Sequence, residues 1–109
     1  MGLASTVFRE MYLTAYRYEL QRKIQSITEA KLALTSSVTN LVALGSDMDP
    51  ESAEAKQLSA RKAKLELMEQ KLDMQLKQYN TQMEAVSTEL ESVENVKKDE
   101  IKRSFSYGQ

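Results

Sequence analysis

The chain of 109 residues has no cysteine, no histidine and no tryptophan, and it carries one proline and three glycines. Without cysteine there is no disulfide and no thiolate to hold zinc, and without histidine the commonest metal ligand and the usual general base near neutral pH are missing. The scarcity of Pro and Gly excludes a fold that turns every dozen residues, because turns draw on Gly, Pro, Asn and Asp at set positions. Aromatic residues make up 6% of the chain, few for a compact globular core. A net charge of −1 and a pI of about 5.5 do not suit a protein whose main task is to neutralise phosphates, so no nucleic-acid partner is expected. No stretch reaches the roughly 18 to 20 apolar residues of a membrane span, and Arg9 and Glu10 interrupt the apolar start of the chain. A location in the cytoplasm, or export by a route without a cleaved signal, is the corresponding expectation.

What the chain does have is helical periodicity. In the first half Leu13, Tyr16, Leu20, Ile24, Ile27, Lys31, Leu34, Val38 and Leu41 follow at steps of 3, 4, 4, 3, 4, 3, 4 and 3. The second half repeats the series with Leu65, Met68, Leu72, Leu76, Tyr79, Met83, Val86, Leu90 and Val93. A mean step near 3.5 keeps a narrow apolar seam turned toward a partner helix in a left-handed coiled coil. The consecutive fours predict a local discontinuity in that seam.

Between the halves, Gly45 follows Val42 and Leu44 where a left-handed helix-ending glycine is favoured, and Asp49, Pro50 and Glu51 supply an N-cap, a first-turn proline and a first-turn anion. The reading is an all-α single domain over 1-109: a long antiparallel two-helix hairpin with helix 1 at about 5-44, a turn at 45-49, helix 2 at about 50-104 and a short tail at 105-109. Thr35 to Asn40 have poor helix propensity and predict a softened stretch without a second break. The expected seam is Leu20, Ile24, Ile27 and Leu34 against Leu65, Leu72, Leu76 and Tyr79. Folding about the turn pairs numbers that sum to about 96, with Val38 near Leu58, Leu20 near Leu76, and Met1 near Asn95. Val96 to Gln109 would then overhang without a partner from helix 1.

Phe8, Met11, Tyr12, Ala15 and Tyr18 lie beside the main stripe, so the start of helix 1 is apolar on more than one face and calls for burial on a second side. Oligomerisation is expected, with Phe8, Tyr12 and Tyr18 and the overhanging Val96, Ile101 and Phe105 as assembly contacts. The expected partners are further copies of the chain or other helical proteins. A membrane surface is disfavoured, because Glu10 and Glu19 punctuate a segment whose only cations are Arg9 and Arg17.

Chemistry has few footholds. Asp47, Asp49 and Glu51 alternate as a calcium loop begins, but Ser52 and Leu58 stand where such a loop needs its Gly and its bidentate acid, so the cluster reads as helix capping. Glu66, Glu69 and Asp73 share a helix face and read as solvated. Lys97, Lys98, Lys102 and Arg103 form a basic patch diluted by Asp99 and Glu100. Met1 to Thr6 satisfies the short M-G-x-x-x-[ST] acylation pattern, for which an N-cap and chain start is the simpler account. Ser and Thr have no His to activate them, and no phosphate-binding glycine loop occurs, so neither an enzyme nor any cofactor or metal is expected.

The start Met1-Gly2-Leu3-Ala4 with Leu13-Thr14-Ala15, and the end Leu90-Glu91-Ser92-Val93 through Ile101-Lys102-Arg103-Ser104-Phe105, resemble small uncharacterised bacterial coiled-coil proteins. In architecture the chain is similar to type III secretion needle subunits and to the terminal coiled-coil domains of flagellins, which share a long helical hairpin with apolar residues near the C-terminus. Its turn contains Pro50 but lacks the second proline of the needle P-x-x-P type. The resemblance implies a non-enzymatic structural protein that self-assembles into a bacterial filament or secretion-related assembly. An adaptor or chaperone that grips a partner helix with its C-terminal overhang is the alternative.

Overall fold

A computed structural model describes residues 2–107 of the chain. It is all-helical, with α1 (Leu3–Gly45) and α2 (Ala53–Tyr107) and no strand among the described residues. Met1, Gly108 and Gln109, to which the expected Met1 to Asn95 pairing and the end of the tail belong, lie outside that range. The contacts divide the chain into two units: the first joins the chain up to Lys23 with the chain from Tyr79 onward, and the second is Ile24–Gln78.

In the first unit the two helices run antiparallel, since Thr6 meets Glu100, Glu10 meets Lys97 and Tyr16 meets Gln82. Leu13, Leu20, Val86 and Leu90 form its buried core, with Tyr79, Met83 and Val93 packed against them. Leu13 and Leu20 retain only 2% and 1% of their exposure. A two-helix layer buries one narrow strip on each helix, so the branched aliphatic side chains at that strip carry most of the apolar burial.

The second unit contains the connection. Ile24, Ile27, Leu34, Val38 and Leu41 of α1 are half-buried, as are Leu58, Leu65, Leu72 and Leu76 of α2. Thr35 and Thr39 donate their hydroxyls to the carbonyls of Lys31 and Thr35, four residues back, at 3.0 and 2.9 Å. Those bonds satisfy the polar side chains within the helix, and α1 runs unbroken through the weak stretch to Gly45.

The turn departs from the sequence expectation at three points. Gly45 has no positive φ and is itself the last residue of α1. Asp49 does not cap α2: its Oδ1 accepts from the Glu51 amide at 3.1 Å, and its carbonyl accepts from the Ser52 amide at 3.0 Å, closing a turn over Pro50 and Glu51. Helix α2 begins at Ala53, capped by Ser52, whose Oγ accepts from the Ala55 amide at 3.1 Å. Because α2 starts three residues later than expected, its side chains sit closer to the connection. Leu58 Cδ1 lies beside Gly45, 3.9 Å from where a Cβ would stand, whereas the sequence arithmetic put Leu58 beside Val38, one heptad away.

The seam is also more regular than expected. Tyr16 and Met68, placed in the stripe by their apolarity, are 38% and 50% exposed, while Arg17 and Glu69 beside them are half-buried. With that exchange α1 reads Leu13, Arg17, Leu20, Ile24 and α2 reads Leu65, Glu69, Leu72, Leu76, an unbroken alternation of threes and fours. Two consecutive steps of four would swing the stripe around the helix, and alternation avoids this. Arg17 and Glu69 tolerate the position because their alkyl stems cover the seam while their charged ends reach water.

Candidate interaction surface

Heptad-spaced seam positions in the first unit hold polar residues in specific arrangements. Thr6 is buried, and its hydroxyl lies 2.9 Å from Glu100 Oε2 and 3.2 Å from the Gly2 carbonyl, so one proton serves two acceptors. Lys97 Nζ pairs with the Glu10 carboxylate at 2.9 to 3.0 Å, both side chains about three-quarters shielded. The hydrogen bond that Lys97 donates to the Glu10 carboxylate raises the Lys97 pKa above its usual value, with partial desolvation acting against it. Arg9 bridges to Glu89 along one flank and sits over the Tyr12 ring, 5.8 Å from its centroid.

These contacts shorten the overhang. Because Lys97 and Glu100 meet Glu10 and Thr6, the segment from Val96 to Glu100 lies against α1 and is not a free extension. Ile101 and Phe105 remain exposed at 48% and 73%, and Val96 at 42%.

On the opposite side of α1 from the seam runs a second stripe. Phe8, Met11, Ala15 and Tyr18 follow at steps of 3, 4 and 3, and all are exposed, with Phe8 at 70%. The periodicity of the α-helix places them roughly half a turn away from Leu13 and Leu20. Tyr12 flanks the stripe and stacks on Tyr16 with ring centroids 6.5 Å apart. A shallow depression on this side is lined by Glu10, Met11, Thr14, Ala15, Tyr18 and Glu19.

In the second unit, Ala30, Ala33, Leu34 and Ser37 of α1 and Met68, Lys71, Leu72 and Gln75 of α2 line a mostly apolar groove. Met68, which the sequence placed inside the seam, forms part of its wall. Lys31 pairs with Asp73 at 2.6 Å, and that hydrogen bond together with the Asp73 charge raises the Lys31 pKa. Of the proposed seam residues, Leu20 is buried and Ile24, Ile27, Leu34, Leu65, Leu72, Leu76 and Tyr79 are half-buried; Lys23 Nζ stands over the Tyr79 ring at 5.5 Å. The proposed assembly residues Phe8, Tyr12, Tyr18, Val96, Ile101 and Phe105 are all exposed and do not form one contiguous contact set with the core.

No protein-family model, curated protein or solved structure matches the chain. The surface must therefore be read from its own chemistry. Among the described residues no cluster of acidic side chains is arranged to hold a metal ion, and no helix is long and apolar enough to cross a membrane. The Asp49 side chain accepts from the Glu51 amide within the turn, so the helix cap that the sequence assigned to the Asp47, Asp49 and Glu51 group falls to Ser52 instead. Sequence reasoning missed the groove because its walls are small or polar residues lying just outside the seam. The signal was present as Ala30, Ala33 and Ser37 at steps of 3 and 4.

Proposed function

We propose that this chain is a non-enzymatic, self-assembling coiled-coil structural protein, a subunit of a filament or secretion-related assembly of the bacterial type it resembles. The observation that carries the reading is the exposed stripe of Phe8, Met11 and Tyr18, with Tyr12 on its flank, on the side of α1 facing away from the seam. A helix that already buries one apolar face and presents a second at coiled-coil spacing fits a further helix. Large exposed apolar patches on proteins mark interaction surfaces. The lack of histidine and cysteine in the whole chain supports a role in packing over one in catalysis.

Sedimentation velocity of the full chain across a wide concentration range tests the proposal. Species that grow with concentration are expected, with filaments visible by electron microscopy. A monomer at every concentration would overturn the reading and leave the adaptor alternative, now confined to the exposed Ile101 and Phe105 region, as the one to pursue.

A further inference from the structure

We propose that the groove walled by Ala30, Ala33, Ser37 and Met68 receives the outer stripe of α1 from a second copy of the chain. The inference rests on the self-assembly reading and specifies the contact that assembly uses. Three features of the two surfaces fit each other.

The first is size. Ala30, Ala33 and Ser37 present short side chains at steps of 3 and 4, with Leu72 contributing an apolar lining residue, so an approaching helix can come close. The stripe offers the bulk such a groove lacks, in Met11 and Tyr18 on either side of Ala15.

The second is length. Ser37 follows Ala30, and Tyr18 follows Met11, by seven residue steps, about 10 Å of helix. The bulky residues and the small-walled segment therefore repeat over the same distance.

The third is charge. Lys71 lines the groove, is exposed, and has no ion pair among the described residues. Glu19 lines the depression on the stripe face, and among the described residues its only ion pair is a long 3.7 Å contact to the exposed Arg22. Glu19 at the margin of the stripe can face Lys71 at the margin of the groove when the two meet.

Two different surfaces of one chain make a heterologous contact. Each copy then offers one donor face and one acceptor face, and such a contact propagates into an open assembly unless its rotation closes a ring. An isologous pairing of stripe with stripe would give only a closed dimer.

The absence of cysteine makes the test direct. Ala15→Cys and Ala33→Cys are prepared separately in the full-length chain, one carrying a mass tag, mixed and oxidised. Both positions are exposed, and a disulfide forms only where Cα atoms come within about 7 Å. The expected result is a cross-linked dimer containing one copy of each variant. Cross-linking of Ala15→Cys with itself in preference to the mixed product would show isologous pairing and overturn the proposal. Absence of any cross-link while sedimentation still shows growth would overturn this contact and leave the self-assembly reading standing; absence of both would remove both.

Charge exchange supplies the independent readout. Glu19→Lys or Lys71→Glu alone is expected to weaken association about two- to fivefold, the range of an exposed ion pair, and the two together are expected to restore it. Failure of the double variant to recover any association lost by the single ones overturns the pairing of these two residues.

Discussion

Lys97 reaches from α2 to Glu10 of α1, and the direction of its pKa shift states when that contact holds. Its folded pKa lies above the ordinary 10.5, so the contact contributes fully at lower pH and its contribution disappears as pH rises through the raised folded value. Lys31, raised by Asp73, has the same sign. Lys97→Arg keeps the charge at that pH, and its melting temperature is expected to fall less than that of the parent above pH 10.5, measured by circular dichroism at 222 nm. Identical alkaline profiles would mean that Lys97 carries none of the dependence. A second contrast tests which side chains make the seam. Leu20→Ala removes a fully buried side chain and is expected to cost about 2 to 5 kcal/mol, whereas Met68→Ala, at a half-exposed wall, is expected to cost under about 1 kcal/mol. Equal losses in urea titrations would restore Met68 to the interior.

The start of α2 can be assigned to a specific hydrogen bond. Ser52→Ala removes the oxygen that accepts from the Ala55 amide, and the expected loss is about 1 kcal/mol. Asp49→Ala leaves that cap in place and is expected to cost less. The reverse order in urea unfolding would mean that the helix starts at Pro50 after all. Along the seam, Arg17 and Glu69 occupy positions an idealised coiled coil would fill with aliphatic residues, yet the alternation of threes and fours runs through them. Arg17→Leu is expected to raise stability by about 1 kcal/mol, because a half-buried cation without an ion pair among the described residues is replaced by an apolar group. Destabilisation in the same assay would mean that Arg17 makes a contact the apolar side chain cannot replace. Polar seam residues of this kind set register in coiled coils at some expense of stability. Lys31 with Asp73 and Lys97 with Glu10 are suited to that part here, since a shift by one heptad separates both pairs.

For the chain as a whole, the outer stripe is the feature the fold leaves without a use inside one copy. Phe8→Ser and Tyr18→Ser together are expected to abolish concentration-dependent growth while leaving helicity unchanged, because both side chains are exposed in the single copy. Growth that persists in sedimentation velocity would place the assembly contact elsewhere, first at Ile101 and Phe105. Loss of helicity would show that the stripe is internal to the fold.

Much of the architecture could be read from the residues because a long coiled-coil helix is a local object. Periodic apolar residues, a single Gly45 to Pro50 interruption and few other turn formers allow little besides two long antiparallel helices. The outer stripe of Phe8, Met11, Tyr12 and Tyr18 was legible for the same reason, as apolar residues off the main period. Register was not, since a heptad seam repeats itself every seven residues and its apolar pattern looks alike after a one-heptad shift. The folded structure resolves that degeneracy through the turn, where Asp49 closes its own bend and Ser52 takes over the cap, and through cross-helix pairs such as Glu10 with Lys97. Placing Arg17 and Glu69 in the seam likewise required the partner helix, because hydropathy alone ranks Tyr16 and Met68 above them, whereas packing selects the position and lets a long charged side chain lead its head group back to water.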